Sequence, residues 1–339
     1  MRKLVSIQKV LAIIPIPGAD AIELAQINGW QCVVKKREFS VGDLGVYFEI
    51  DAVPPIEGPH RELFSFLWKG QDRPAPSLRI RTVKLRGQLS QGLLMPLAAF
   101  PELAGLQDGQ DCTEVLGVHK YEPPPPDGMG DYGGPFDARV PKTDEPRLQS
   151  APRVLDELRG LPYCVVEKCD GTSCTVTADL EGVVRVYGRS HCIAEADNIF
   201  WRAVRGTKIL EAMHHNPDLA VQCEIVGPRI QKNRLGLHAI EPRAFNVFRK
   251  STGVHLGQAQ LDQLCREWEI PQAEVLERGD NFQHTQESLL RLADGCYRET
   301  NNPREGIVVR PETLRYSETL KGRLSFKVIN NTFLLKGGD

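Results

Sequence analysis

Residues 121–136 read YEPPPPDGMGDYGGPF. Consecutive prolines fix φ and remove backbone donors, and the glycines after them carry the largest conformational entropy, so the run continues neither a helix nor a central strand. It reads as a linker over residues 121–137, with a long surface loop inside one domain as the alternative. A chain of 339 residues favours the linker, because single cores usually divide beyond roughly 250–300 residues. The segments on its two sides also differ in kind.

Upstream, apolar residues alternate or cluster over 4–14, 30–34, 44–50, 80–85 and 92–97, with Gly or Pro between them. Helical periodicity is weak. Five short strands in a module of residues 1–120 predict a small closed sheet, and an OB-like β-barrel is the commonest such form. Basic and acidic residues nearly balance there, so binding of a polyanion would rest on local clusters such as Lys35-Lys36-Arg37 and Lys84-Leu85-Arg86. Either cluster reads equally well as solvated surface.

Downstream, over residues 138–339, strands and helices mix. Strand patterns occupy 164–166, 174–178, 183–187, 220–226, 244–248, 306–310 and 324–329, and helix-spaced apolar residues run over 194–213 and 256–268. The chain as a whole reads as α+β.

Composition narrows the class. Charged residues make up 25% and the net charge is −2, which excludes a polycationic nucleic-acid binder. No run reaches the roughly 18 apolar residues of a membrane span, so no membrane partner is expected. The nine cysteines include no CxxC pair and the histidines no HxxxH, which speaks against a zinc ribbon or a zinc hydrolase. Scattered thiols and an N-terminus without a signal pattern give the expectation of a cytoplasmic protein with reduced cysteines.

The chemistry concentrates in Val166-Glu167-Lys168-Cys169-Asp170-Gly171-Thr172-Ser173. A lysine leaves an apolar strand just before an Asp-Gly turn. A lysine is a nucleophile only as the neutral amine, and partial burial with nearby cations or a metal ion lowers its pKa toward that form. The KxDG pattern alone also fits a surface hairpin. Further along, Gln222-Cys223-Glu224-Ile225-Val226-Gly227 sets an acid in an apolar strand, where a carboxylate is costly unless paired or metal-bound. Phe245-Asn246-Val247-Phe248 places two rings on opposite strand faces, so that one can pack in the core while the other meets a ligand, although aromatics in a strand are core in most cases. Arg304-Glu305-Gly306-Ile307-Val308 pairs a second acid with a glycine, and Ser325-Phe326-Lys327-Val328 puts a second lysine in a strand.

In this order the motifs resemble the covalent nucleotidyltransferases: RNA ligases, DNA ligases and mRNA capping enzymes. The likeness covers roughly residues 140–335. The stretch from Glu224 to Lys232 is similar to that of ATP-dependent RNA ligases. Only twelve residues follow Lys327, which gives the expectation that no C-terminal OB domain follows. An OB-like module ahead of the catalytic domain resembles the fifth RNA-ligase family, as does Lys142-Thr143-Asp144-Glu145-Pro146-Arg147-Leu148-Gln149. The implied fold is an N-terminal OB-like β-barrel followed by a nucleotidyltransferase domain of antiparallel sheets with flanking helices.

The resemblance implies ATP as substrate, Mg²⁺ or Mn²⁺ as cofactor, and RNA as partner, with 3′-hydroxyl and 5′-phosphate ends joined at nicks in duplexes by a monomer. Lys168 would form the lysyl-AMP. Glu167 (through its backbone), Asp170, Phe248, Lys327, Arg147 and Gln149 would hold the nucleotide, with Gly171 permitting the turn and Arg189 on phosphate or the RNA end. Glu224 and Glu305 would hold or orient the metal. Two positions depart from the family pattern: Ser173 stands where many relatives have Asn, and Ser325 where many have a first lysine, whose charge Lys321 or Arg323 would supply. A GTP-using capping-type enzyme and a non-catalytic nucleic-acid-binding protein are the alternatives.

Overall fold

The computed structural model describes residues 2–55, 57–68, 79–122, 128, 130–298 and 300–336. The proline run and part of the glycine run of the expected linker lie outside these. The chain divides into two compact units, Met1–Pro124 with Gln149–Pro152 and Leu334–Asp339, and Pro125–Leu148 with Arg153–Phe333.

The first unit carries β1 (Val5–Pro15), β2 (Ile22–Ile27), β3 (Trp30–Lys35), β4 (Leu44–Phe48), β5 (Thr82–Leu85), β6 (Gln88–Gln91) and β7 (Leu93–Pro96). The principal sheet runs β3-β2-β1-β4-β7. Its long first strand serves two neighbours. Val5 to Lys9 pair with β4, and Val10 to Pro15 pair with β2 across a register slip between Val10 and Ala12. A bulge of this kind bends a strand and lets one sheet curl into an OB-like half-barrel. The β5–β6 hairpin turns at Arg86 and Gly87, both at positive φ, as a two-residue primed turn requires. Its second strand is tied to β3: the Val33 N–H donates to Ser90 Oγ at 3.0 Å, and Gln31 Nε2 donates to the Leu89 carbonyl at 2.9 Å. β2 and β6 had no strand pattern. Glu23 is buried in β2, and β6 is mostly polar, so neither shows clean alternation.

The second unit holds β8 (Tyr132–Pro135), β9 (Tyr163–Lys168), β10 (Thr172–Ala178), β11 (Val184–Tyr187), β12 (His191–Ile193), β13 (Leu219–Val226), β14 (Glu241–Arg249), β15 (Val254–His255), β16 (Val275–Gly279), β17 (Gly306–Pro311) and β18 (Phe326–Ile329). One antiparallel sheet runs β8-β12-β11-β10-β13-β14-β15 and the other β16-β9-β17-β18. Within the stretch read as linker, β8 is therefore an edge strand, the one sheet position where a Gly-Gly-Pro sequence is tolerated.

Helices α1 (Val154–Leu158), α2 (Ile199–Arg205), α3 (Ile209–His215), α4 (Gln258–Glu267) and α5 (Gln286–Ala293) cover outer faces. Phe200, Val204, Ile209, Met213 and Leu261 pack on the seven-stranded sheet. Leu155, Leu158 and Leu289 pack on Val165, Ile307, Val309 and Phe326 of the four-stranded sheet. The helical pattern over 194–213 resolves into two helices because Gly206 caps the first. A third cluster, with Cys164, Val166, Val226, Leu235, Ala273 and Tyr297, joins the two sheets.

No helix among the described residues is long and apolar enough to cross a membrane. All nine cysteines are free, and only Cys296 is exposed.

Candidate active site

Side chains alternate along β9, so Val165 faces the helices while Val166 and Lys168 face the other sheet. Across the ladder Val166 stands opposite Val308, and Val308 opposite Lys327. Lys327 therefore shares the Lys168 face. Lys168 itself pairs with Gly306. A Cβ at 306 would lie 2.2 Å from the Val328 carbonyl oxygen, so only glycine allows β17 and β18 to approach here.

Gly171 answers to the same constraint. Its role was expected in the turn, but its φ is not positive. A Cβ there would meet the Ile225 carbonyl oxygen at 2.3 Å and Glu224 Cγ at 2.7 Å. The glycine lets the lysine turn settle against the strand that carries Glu224, with Ser173 in register with Glu224.

Around Lys168 the charges converge. Its Nζ donates to Glu305 Oε2 at 2.8 Å. Asp170 Oδ2 accepts from Arg234 Nε at 3.0 Å. Burial alone would lower the Lys168 pKa, but Glu305, Glu224 and Asp170 outweigh it and hold the ammonium above its ordinary value. Burial next to Glu305 and Asp170 pushes the Glu224 carboxyl up to about 8, although Lys168 and Arg189 oppose it. Asp170 is pushed up to about 6 by burial and Glu305, against Arg234 and Lys168. Burial and mutual repulsion among the three carboxylates outweigh the nearby cations and favour the protonated forms of Glu224 and Asp170. Lys168 is thus held toward the charged form and not toward the neutral amine, because its close neighbours are anions.

The remaining candidates divide. Glu167 is buried, 3.9 Å from Arg304 Nε, and its N–H donates to the Glu274 carbonyl at 2.8 Å, so that donor is already used. Arg189 donates to both carboxylate oxygens of Asp144, at 3.0 and 3.1 Å. Arg147 bridges to Lys327 through the backbone, and the Lys327 N–H donates to the Pro146 carbonyl at 2.8 Å. Phe248 is buried with Val140 and Ala220, its ring centroid 5.1 Å from that of His255. Gln149 belongs to the first unit, where its carbonyl accepts from the Gly29 N–H.

Both departures from the family pattern have partners. Ser173 Oγ lies 2.8 Å from Thr143 Oγ1, and Ser325 Oγ donates to Glu145 Oε1 at 2.9 Å. Lys321 pairs with Glu318 at the surface, while half-buried Arg323 lies beside Arg310, both donating to Asn246 Oδ1.

Two residues of the site carried no signal in the sequence. Arg234 partners Asp170. Tyr297 is 1% exposed, and its hydroxyl meets the backbones of Lys168, Asp170 and Glu305. The only cue for Arg234 was its place in a basic stretch soon after Glu224.

A lysine at a strand end, flanked by an Asp-Gly turn and faced by one acid in β13 and another at the entry of β17, on paired antiparallel sheets, is the arrangement of a covalent nucleotidyltransferase. Comparison with known proteins specifies the class. The RNA ligase family model matches residues 161–329 and an OB-fold domain model matches residues 4–97. Among solved structures, Naegleria gruberi RNA ligase with PPi is 35% identical at a TM-score of 0.88, covering 98% of each chain. A lysine-to-alanine mutant of that enzyme with ATP and Mn is 34% identical with the same TM-score and coverage. A glutamate-to-alanine mutant with ATP and Mn is 35% identical at 0.89 and covers 100% of each chain. No curated protein matches the chain. The chain belongs to the RNA ligase family: it is an ATP-dependent RNA ligase with an N-terminal OB-fold domain and a C-terminal nucleotidyltransferase domain.

Proposed function

We propose that this ligase seals 3′-hydroxyl to 5′-phosphate RNA ends at nicks in duplexes, with Lys168 as the nucleophile. The observation that carries the reading is the single cluster of Lys168, Asp170, Glu224 and Glu305 between the two sheets. Lys168 Nζ, after losing its proton, attacks the α-phosphorus of ATP and releases pyrophosphate. The AMP then passes to an RNA 5′-phosphate, and a 3′-hydroxyl displaces it to close the phosphodiester. Such transfers depend on in-line placement and on neutralising the phosphoryl oxygens.

Lys327, on the Lys168 face, is placed to act on the α-phosphate. Arg189 turns from Asp144 to a phosphate, and Asp170, held by Arg234, orients the lysine turn.

Among the described residues no group of three or more His, Cys, Asp or Glu side chains has metal-holding geometry. Two acids with surplus negative charge still suit a hard divalent ion, which typically takes one or two carboxylates and completes its shell with water and phosphate. The raised Glu224 carboxyl marks a site short of positive charge. Glu224 and Glu305 would hold Mn²⁺ or Mg²⁺, which when bound neutralises charge on the phosphate oxygens. Buried free thiols support a reducing, cytoplasmic setting. A duplex with an RNA 3′ strand is A-like and is gripped by shape and 2′-hydroxyls, a task we assign to the OB unit.

The test is labelling with α-phosphate-labelled ATP or GTP, followed by sealing of nicks built from RNA and DNA strands. The expected result is an AMP adduct that Lys168→Ala abolishes, with sealing at nicks favoured over free single strands. An adduct formed only with GTP would sink the ligase reading. Equal sealing of free single strands would sink the nick preference.

A further inference from the structure

The side chains of the site converge on Lys168 Nζ, but the backbones that carry them converge on a different atom. The Tyr297 hydroxyl donates to the Lys168 carbonyl at 3.2 Å and accepts from the N–H groups of Asp170 at 3.0 Å and Glu305 at 3.2 Å. A phenol has one proton to give and its oxygen lone pairs to accept, so these three bonds use its full capacity. Each goes to a residue of the charged cluster. Two of them span the lysine turn, and the third reaches the entry of β17.

The ring is held independently. It packs with Val166, Val226, Leu235 and Ala273 between the sheets, and its N–H donates to the Asn302 carbonyl at 3.0 Å. The loop that carries it also holds Arg234, the partner of Asp170: Thr300 Oγ1 and Asn302 Nδ2 donate to the Arg234 carbonyl at 2.8 and 2.9 Å. One loop thus fixes the backbone of the nucleophile, the backbone of its acid partner and the arginine behind the turn.

We propose that Tyr297 is a positioning residue for lysine adenylylation, its hydroxyl setting the spacing between the strand end bearing Lys168 and the strand entry bearing Glu305. The proposal rests on Lys168 being the nucleophile. A shift of about 1 Å at an attacking atom costs on the order of 100-fold in rate, and β9 and β17 separate at this point, where the ladder ends at the Lys168–Gly306 pair. The hydroxyl continues the connection past the last pair.

The test uses the full chain. Single-turnover labelling by ATP is measured for wild type, Tyr297→Phe, Leu235→Ala and Lys168→Ala, with sealing of a pre-adenylylated nicked strand and thermal melting alongside. Tyr297→Phe keeps the ring and removes the three bonds. Its rate constant at saturating ATP is expected to fall about 10- to 100-fold, with the half-saturating ATP concentration changed less than about twofold. Sealing of the pre-adenylylated strand, which bypasses attack by Lys168, is expected to fall less. Leu235→Ala thins the packing around the ring and leaves the hydroxyl, so it lowers the melting temperature but keeps the labelling rate.

A wild-type rate in Tyr297→Phe overturns the proposal. So does a loss matched by Leu235→Ala at equal melting temperature, or a Tyr297→Phe chain that does not fold, since the hydroxyl then serves stability alone. Persistent labelling in Lys168→Ala would instead break the nucleophile assignment, whatever Tyr297→Phe does.

Discussion

Lys168 Nζ stands 2.8 Å from Glu305 Oε2, so the amine proposed as the nucleophile is held as an ammonium against a carboxylate. With Glu224 and Asp170 also close enough to raise its pKa, the amine cannot attack until its proton leaves. The ion pair places Nζ beside Glu305, and cations that neutralise the carboxylates would favour loss of its proton.

Lysine adenylylation should accordingly speed up with pH. Because Lys168 is raised above its ordinary value, the neutral fraction stays small through pH 6–9, and the rate of label transfer should climb by up to about tenfold per pH unit over that range. Single-turnover labelling in buffers of constant ionic strength measures it. A flat profile would mean that deprotonation does not limit the step.

Stability of the metal-free protein should run the other way. Burial pushes the Glu224 carboxyl up to about 8 and that of Asp170 up to about 6, both above the ordinary carboxylate range. Between the unfolded and folded pKa values the native state binds more protons than the unfolded chain, so unfolding free energy falls as pH rises. The contribution is complete below about pH 4 and is lost on passing pH 6 for Asp170 and pH 8 for Glu224. Melting temperature should decline from pH 5 to pH 8, and Glu224→Gln, which has no proton to lose, should flatten the upper part of that decline. Added Mn²⁺ should flatten it in the wild-type protein, where it binds the ionised acids. A melting temperature that rises over this window would contradict the assignment.

Arg234→Ala should weaken adenylylation about tenfold or more, because it strips Asp170 of its 3.0 Å partner and leaves a buried carboxyl to protonate. Partners to charged groups of this kind are worth roughly 1.5–3 kcal/mol, enough for that loss. Arg234→Lys restores the charge without the fork geometry and should recover part of the rate. Labelling at saturating ATP decides; a wild-type rate in Arg234→Ala would show that Asp170 needs no partner.

The part of the site that was legible in the sequence is the part whose chemistry is local. Lys168, Asp170 and Gly171 lie within four positions, and Glu224, Glu305 and Lys327 each announce themselves as charged residues in or beside apolar strands. Arg234 and Tyr297 act across separations of 64 and 127 residues, and neither an arginine in a basic loop nor a tyrosine in Gly295-Cys296-Tyr297-Arg298 breaks any local rule. The fold shows the same division. β1, β9 and β13 carry strong apolar patterns, whereas β2 hides a buried Glu23 and β8 is built from Tyr132-Gly133-Gly134-Pro135, a composition that reads as loop until an edge partner is in place. The sign of the Lys168 shift was also hidden, since it depends on how many carboxylates the fold gathers around one amine.

Gly171→Ala tests the closest approach in the site. The added methyl would lie 2.3 Å from the Ile225 carbonyl oxygen and 2.7 Å from Glu224 Cγ. The first neighbour is backbone in the middle of a sheet and cannot yield cheaply; the second is the start of the side chain whose carboxyl faces Lys168. Overpacking of this kind costs about 1–3 kcal/mol, and relief comes only by moving the lysine turn away from β13. The variant should therefore lose melting temperature by several degrees and lose labelling by more than its folded fraction accounts for, because the displacement falls between Lys168 and Glu224. Circular dichroism melting with labelling at a temperature where the variant is fully folded separates the two effects. Full activity in a folded Gly171→Ala chain would show that the turn and β13 have room to part, and that the glycine is not what sets the spacing between Lys168 and Glu224.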